Sequence, residues 1–193
     1  MKKIWGFKLN IYNICLIIFM AAINIVLNHV AQYLNDSSVP MPLWLDSVGT
    51  FITAMEAGPL AGALAGFPVY GIYLFTRPDW ALFSLNSVLI GISAGVLART
   101  IGLTNWRNVL IAGIAAALID IVLSSALDMR FYDGLTGFIL GDSVFNYFSR
   151  TQPVIVSSLA AETVMSAPDK IFSAFLAYLI CSDSLTKRNT RQC

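Results

Sequence analysis

Charge is scarce in this sequence. Asp, Glu, Lys and Arg make up 12% of the residues, against roughly 25% in a soluble globular domain. So little charge cannot cover a water-facing surface. Histidine occurs once, as His29, which leaves little for imidazole catalysis or a His-rich metal site. The cysteines are Cys15, Cys181 and Cys193, and they show neither metal-ligand spacing nor a disulfide framework. Cys15 and Cys181 fall in apolar segments, where a small buried side chain is the ordinary role. The sequence has no G-x-x-x-x-G-K-[ST] loop to cradle a nucleotide phosphate, and no H-E-x-x-H or C-x-x-C. It has no Arg-rich helix of the voltage-sensing kind and no obvious inverted repeat. Neither an enzyme nor a cofactor is expected. A net charge of +1 gives no reason to expect nucleic acid.

Apolar surface is what the chain has in quantity. Hydrophobic residues are 57% of 193, and the mean hydropathy is +0.72. A bilayer core takes about 20 apolar residues per helix. The runs predict an all-α integral membrane protein, a single bundle of about six transmembrane helices over residues 1–193. The spans are expected at about 9–34, 44–57, 59–76, 81–100, 107–127 and 152–181. The second is short, which points to a tilted or re-entrant helix, or one packed on protein rather than lipid. Gly58-Pro59 suits a tight break between the second and third. Lys2, Lys3 and Lys8 precede the first run as in a signal peptide. That run exceeds the roughly 7 to 15 residues of a signal core, so it reads as an uncleaved helix.

The basic residues fix an orientation. Lys2, Lys3, Lys8, Arg99, Arg107, Lys187, Arg188 and Arg191 fall on one side, and only Arg77, Arg130 and Arg150 on the other. The positive-inside rule then places both termini in the cytoplasm. Asp36, Asp46, Asp79, Asp128, Asp133 and Asp142 lean toward the outer connections. The longest connection, about 128–151, carries aromatic residues, Gly, Asp and Arg. It reads either as a lid over an outward cavity or as a surface loop anchored by interfacial Tyr and Phe.

Ionisable groups inside apolar helices usually face the bundle or a cavity. Ser158, Glu162, Ser166, Asp169 and Ser173 are spaced to share one face of the last helix, with Pro168 beside them able to kink it or free a carbonyl. Asp120 and Ser124 stand one turn apart in the fifth helix, and Asn24 and Asn28 in the first. A pocket for a small polar solute is one reading. Interhelical hydrogen bonding is the other, and it suits the Ser and Asn residues better than Asp120 and Glu162. Asp169 and Lys170 read as a structural ion pair or a cytoplasmic-half contact, and His29 as an interfacial hydrogen-bonding residue. Gly62 with Gly66, Ala61 with Ala65, Gly91 with Gly95 and Ala94 with Ala98 form faces that let helices approach closely, either within the bundle or on a partner.

The segment PLWLDSVGTFITAMEAGPLAGALAG (Pro42 to Gly66) resembles the second and third helices of the S components of energy-coupling factor (ECF) vitamin transporters. SAPDKIFSAFLAYLI (Ser166 to Ile180) is similar to that family's last helix, and the outer loop with FYDGLTG before it fits too. LDSVGT and PDK are the most specific parts. The resemblance implies a high-affinity substrate-binding subunit for a vitamin-like or cofactor-precursor solute in a bacterial cytoplasmic membrane. Its implied partners are a separate transmembrane coupling protein and two ATPase subunits, so a missing nucleotide loop is expected. It implies substrate contacts at Trp44, Asp46, Trp80, Asn86, Asp120, Tyr132, Asn146 and Glu162. Many members dock the coupling protein through an Ala-x-x-x-Ala face in the first helix. Here Val26 stands where the mate of Ala22 would be, which brings Gly62 and Gly66 forward as an alternative docking face. Two other functions stay open: a sensory or scaffold membrane module, and a stand-alone transporter or channel with Glu162 or Asp120 as a proton site. Trp44, Trp80, Tyr132 and Tyr147 suit a flat ring but also collect at membrane interfaces. Asp120 and Glu162 favour a cationic or amine-bearing solute.

Overall fold

A computed structural model describes residues 10–36, 41–76 and 78–190. Among these there are eight helices and no strand. They are α1 (Ile11–Asp36), α2 (Val48–Ala57), α3 (Pro59–Thr76), α4 (Pro78–Ser84), α5 (Asn86–Thr100), α6 (Trp106–Phe131), α7 (Ile139–Phe148) and α8 (Val154–Thr190). Five stretches are long and apolar enough to cross a bilayer: Ile11–Leu34, Pro59–Thr76, Trp80–Thr100, Trp106–Phe131 and Val154–Ser182. The chain is an all-α, multi-pass membrane bundle. Lys2, Lys3, Lys8, Arg77, Arg191 and Cys193, which the charge and cysteine readings use, lie outside the described residues.

Contacts between helices fix their directions. Asn24 of α1 meets Thr50 of α2 and Ala65 of α3, and Asn28 meets Tyr73, so α1 and α3 run parallel. Gly62 faces Gly91 and Gly66 faces Ser87, so α3 and α5 are antiparallel. Ser158 meets Ser125, Gly113 meets Ile171, and the Tyr178 hydroxyl donates to the Thr104 carbonyl, so α6 and α8 are antiparallel. The start of α1 and the end of α8 therefore lie at one end of the bundle.

The second crossing differs from the expected helix over 44–57. Helix α2 has ten residues, about 15 Å at 1.5 Å per residue, half of a roughly 30 Å hydrocarbon core. Every residue of it but Glu56 is buried. The chain ahead of it is not helical. Leu45 has φ +55°, outside the helical range. The Trp44 and Leu45 N–H groups both donate to Oδ1 of Asp169 on α8, each at 2.8 Å. A carboxylate from a neighbouring helix thus supplies the acceptor that a non-helical backbone lacks inside a membrane. The turn to α3 is as expected: Gly58 has φ +97° and Pro59 opens α3.

The predicted span over 81–100 is interrupted at Leu85. Leu85 N–H bonds Leu82 O and Val88 N–H bonds Leu85 O, so the ladder tightens to i→i−3 there. The Ser84 hydroxyl donates to the Ala81 carbonyl at 2.6 Å. The connection expected at 128–151 is largely helical, since α6 runs on to Phe131 and α7 fills 139–148. Oδ1 of Asp142, in the first turn of α7, accepts the Thr136 N–H, the Thr136 hydroxyl and the Gly137 N–H. That fixes the loop ahead of the helix. Helix α8 continues through the exposed Pro168, whose missing N–H removes one ladder bond.

The small-residue faces are used internally. A Cβ at Gly62 would lie 2.7 Å from Ala54 Cβ and 2.9 Å from the Gly91 carbonyl oxygen, and one at Gly66 would lie 2.7 Å from Ser87 backbone atoms. Gly62 and Gly66 are buried where α3 meets α2 and α5, so this pair offers no surface for a separate protein. Ala22, by contrast, is exposed. The larger apolar cluster is one-sided. Phe51, Met55, Ile90, Leu103, Val109 and Ala177 pack the half of the bundle near the start of α1 and the end of α8. The other half holds a small apolar cluster of Val69, Tyr73 and Ala81 beside a largely polar interior.

Candidate functional site

The polar half encloses a cavity of about 90 Å³, well above the roughly 10–15 Å³ that admits one water. Its floor is Lys170. The side chain is buried, and its ammonium lies 2.7 Å from Asp169 Oδ2, 2.8 Å from Asp46 Oδ1 and 3.4 Å from Asp120 Oδ2. A buried ammonium survives only with such partners. Three elements supply them: the non-helical segment before α2, the middle of α6, and α8 itself. Asp46 also accepts the Ser47 hydroxyl at 2.8 Å and the Ser87 hydroxyl at 3.4 Å. The Asn86 side-chain amide donates to Asp120 Oδ1 at 2.8 Å and to the Ser124 hydroxyl at 2.9 Å.

One wall carries Asp128 of α6 and Glu162 of α8, close enough for their carboxyl groups to interact. Glu162 Oε2 accepts the Ser166 hydroxyl at 2.9 Å. Asn28 and Tyr73 also line the cavity. The Tyr73 hydroxyl donates to Asn28 Oδ1, and the Gln32 amide donates to both. The roof is aromatic. Phe138, from the loop before α7, sits edge-on to Trp44 at 4.4 Å and to Trp80 at 5.5 Å, and the two indoles are 5.8 Å apart. Such perpendicular packing suits ring quadrupoles. The middle of the 128–151 connection brings Thr136, Gly137 and Phe138 to the cavity lining.

Trp44, Asp46, Trp80, Asp120, Tyr132 and Glu162, all singled out in the sequence, line this one cavity. Asn86 does not line it and instead holds Asp120 from behind. Asn146 is exposed on α7, away from the cavity. The stripe Ser158, Glu162, Ser166, Asp169 and Ser173 is wholly buried, but only Glu162 and Ser166 of it reach the cavity. Asn24 is structural, joining α1 to Gly49, Thr50 and Ala65. His29 is exposed with Nδ1 2.8 Å from the Ile25 carbonyl oxygen.

The cavity is also lined by residues outside the expected binding set, Lys170, Asp128 and Phe138 among them. Lys170, expected in a structural ion pair or a cytoplasmic-half contact, makes the ion pair and also lines the cavity. Asp128 was assigned to the loop, although it continues the i, i+4 series of Asp120 and Ser124. Phe138 carries no periodic signal, because a turn positions it. Among the described residues no group of His, Cys, Asp and Glu is arranged to hold a metal ion. No family model, curated protein or solved structure matches the chain.

Proposed function

We propose that this chain is the substrate-binding membrane subunit of an ECF-type importer. It captures a small vitamin-like or cofactor-precursor solute in the cavity and relies on a separate coupling protein and two ATPase subunits for energy. The orientation that goes with this reading puts the cavity outside a bacterial cytoplasmic membrane and both chain ends in the cytoplasm. The observation that carries it is the one-sided interior. An aromatic-roofed cavity with a built ionic floor occupies one half, and close apolar packing fills the other. Such an interior binds a solute from one side, and release to the other side requires the protein to move or be moved. The sequence has no phosphate-binding loop to drive that motion, which fits energy from other chains. Of the docking residues considered, Ala22 has surface to offer, so α1 is the face for the coupling protein.

The test is mass spectrometry of what co-purifies with the detergent-solubilised protein, followed by uptake assays. A bound small molecule, a co-purifying coupling protein and ATPases, and uptake only when those partners are present support the reading. Uptake by the lone chain, abolished by collapsing the proton gradient, refutes it. That result would favour a stand-alone carrier, for which the facing Asp128 and Glu162 carboxyls would be the proton site.

A further inference from the structure

The acidic groups of the cavity fall into two sets. Asp46, Asp120 and Asp169 surround Lys170 within 3.4 Å, so that ammonium is already matched. Asp128 and Glu162 are not. Among the described residues Lys170 is the one cation lining the cavity, and Arg130, two residues past Asp128, is exposed and lies over the Phe131 ring. Asp128 is 2% exposed, lines the cavity, and its Oδ2 has no hydrogen-bond partner. A buried polar atom left unpaired carries a desolvation penalty of about 1–3 kcal/mol, more when charged. The aromatic roof of Trp44, Trp80 and Phe138 belongs to the same cavity.

Accepting the cavity as a solute site, we propose that the Asp128–Glu162 wall is the subsite for the cationic nitrogen of an organic cation whose flat ring packs against the aromatic roof. A cation supplies what this wall lacks: a donor for Asp128 Oδ2 and a counter-charge for carboxyls in a low-dielectric interior. Aromatic faces reinforce the choice, since indole attracts a cation and repels an anion. An anionic solute finds no free cation at this wall, and a neutral one brings a donor without a counter-charge.

The test uses the full chain in nanodiscs with Trp5→Phe and Trp106→Phe, so that fluorescence reports Trp44 and Trp80. Three probes of one shape are titrated near neutral pH: benzylamine as the cation, benzyl alcohol as the neutral form and benzoate as the anion. Benzylamine is expected to half-saturate at about tenfold lower concentration than benzyl alcohol, with benzoate silent over that range. Asp128→Asn and Glu162→Gln are each expected to shrink the amine preference to about threefold or less while leaving the alcohol's weak binding in place. If benzyl alcohol or benzoate matches benzylamine in the unaltered wall, the cation subsite is wrong and the solute cavity stands. An amine preference that survives both substitutions has the same meaning. If no probe registers on a protein that retains its helical circular dichroism and unfolding transition, the subsite and the solute cavity fall together.

Discussion

Lys170→Met removes the ammonium that three carboxyls share and keeps most of the side-chain volume. Asp46, Asp120 and Asp169 are then left facing one another, with Asp169 still held by the Trp44 and Leu45 N–H groups. Breaking a buried pair from one side costs about 3–5 kcal/mol, because the stranded charge has lost its compensation. A kilocalorie shifts the melting temperature of a chain this size by about 2–4 °C, so the fall should be about 10 °C. The double variant Lys170→Met/Asp169→Asn removes one stranded charge and keeps an amide oxygen for the two backbone donors. It should recover part of the loss, with a coupling of about 1–3 kcal/mol. The assay is reversible unfolding in mild detergent, followed by near-ultraviolet circular dichroism, with all four corners of the cycle measured together. A single variant as stable as the parent, or a double variant less stable than the single, would refute the ionic floor as the element that holds this half together.

Three further outcomes follow from the same geometry. Glu162→Gln should weaken solute binding by about tenfold while leaving the unfolding transition in place, and calorimetry with the co-purified solute checks it; unchanged affinity removes Glu162 from the site. Gly62→Val places atoms where Ala54 Cβ and the Gly91 carbonyl already sit, so the α3–α5 contact should open at a cost of about 1–3 kcal/mol or more, read as a lower unfolding temperature. Asp142→Ala deletes three hydrogen bonds that hold Thr136 and Gly137. The loop before α7 should then exchange its amide hydrogens faster than in the parent, and protection equal to the parent's would show that Phe138 packing alone holds the roof.

The all-α membrane bundle was legible in the sequence because a bilayer imposes it. Charge scarcity and run length leave few other solutions. Gly58-Pro59 was legible because the break is local. The one-face burial of Ser158 through Ser173 followed from spacing alone. What was not legible depends on groups far apart in the chain. The start of α2 is set by Asp169, more than a hundred residues away, accepting the Trp44 and Leu45 amides. No local propensity reports that. The same holds for Lys170. Its neighbour Asp169 was visible, but Asp46 and Asp120 come to it only through the fold. Asn146 shows the converse. It sits in a polar, aromatic-rich stretch, yet α7 turns it outward, and composition does not encode that rotation.

The half-helical second crossing has a consequence for how the chain is built. A ten-residue helix is too short to enter a bilayer alone, and the non-helical residues ahead of it would carry bare amides into lipid. Their acceptor, Asp169, belongs to α8, which is synthesised more than a hundred residues later. Residues 41–57 therefore cannot settle when they leave the ribosome. They must wait at the membrane face, or within a chaperoning insertase, until α8 arrives. This segment is then completed only after α8 is made, and a nascent chain stopped before residue 169 would expose to aqueous labels a segment that the folded protein hides.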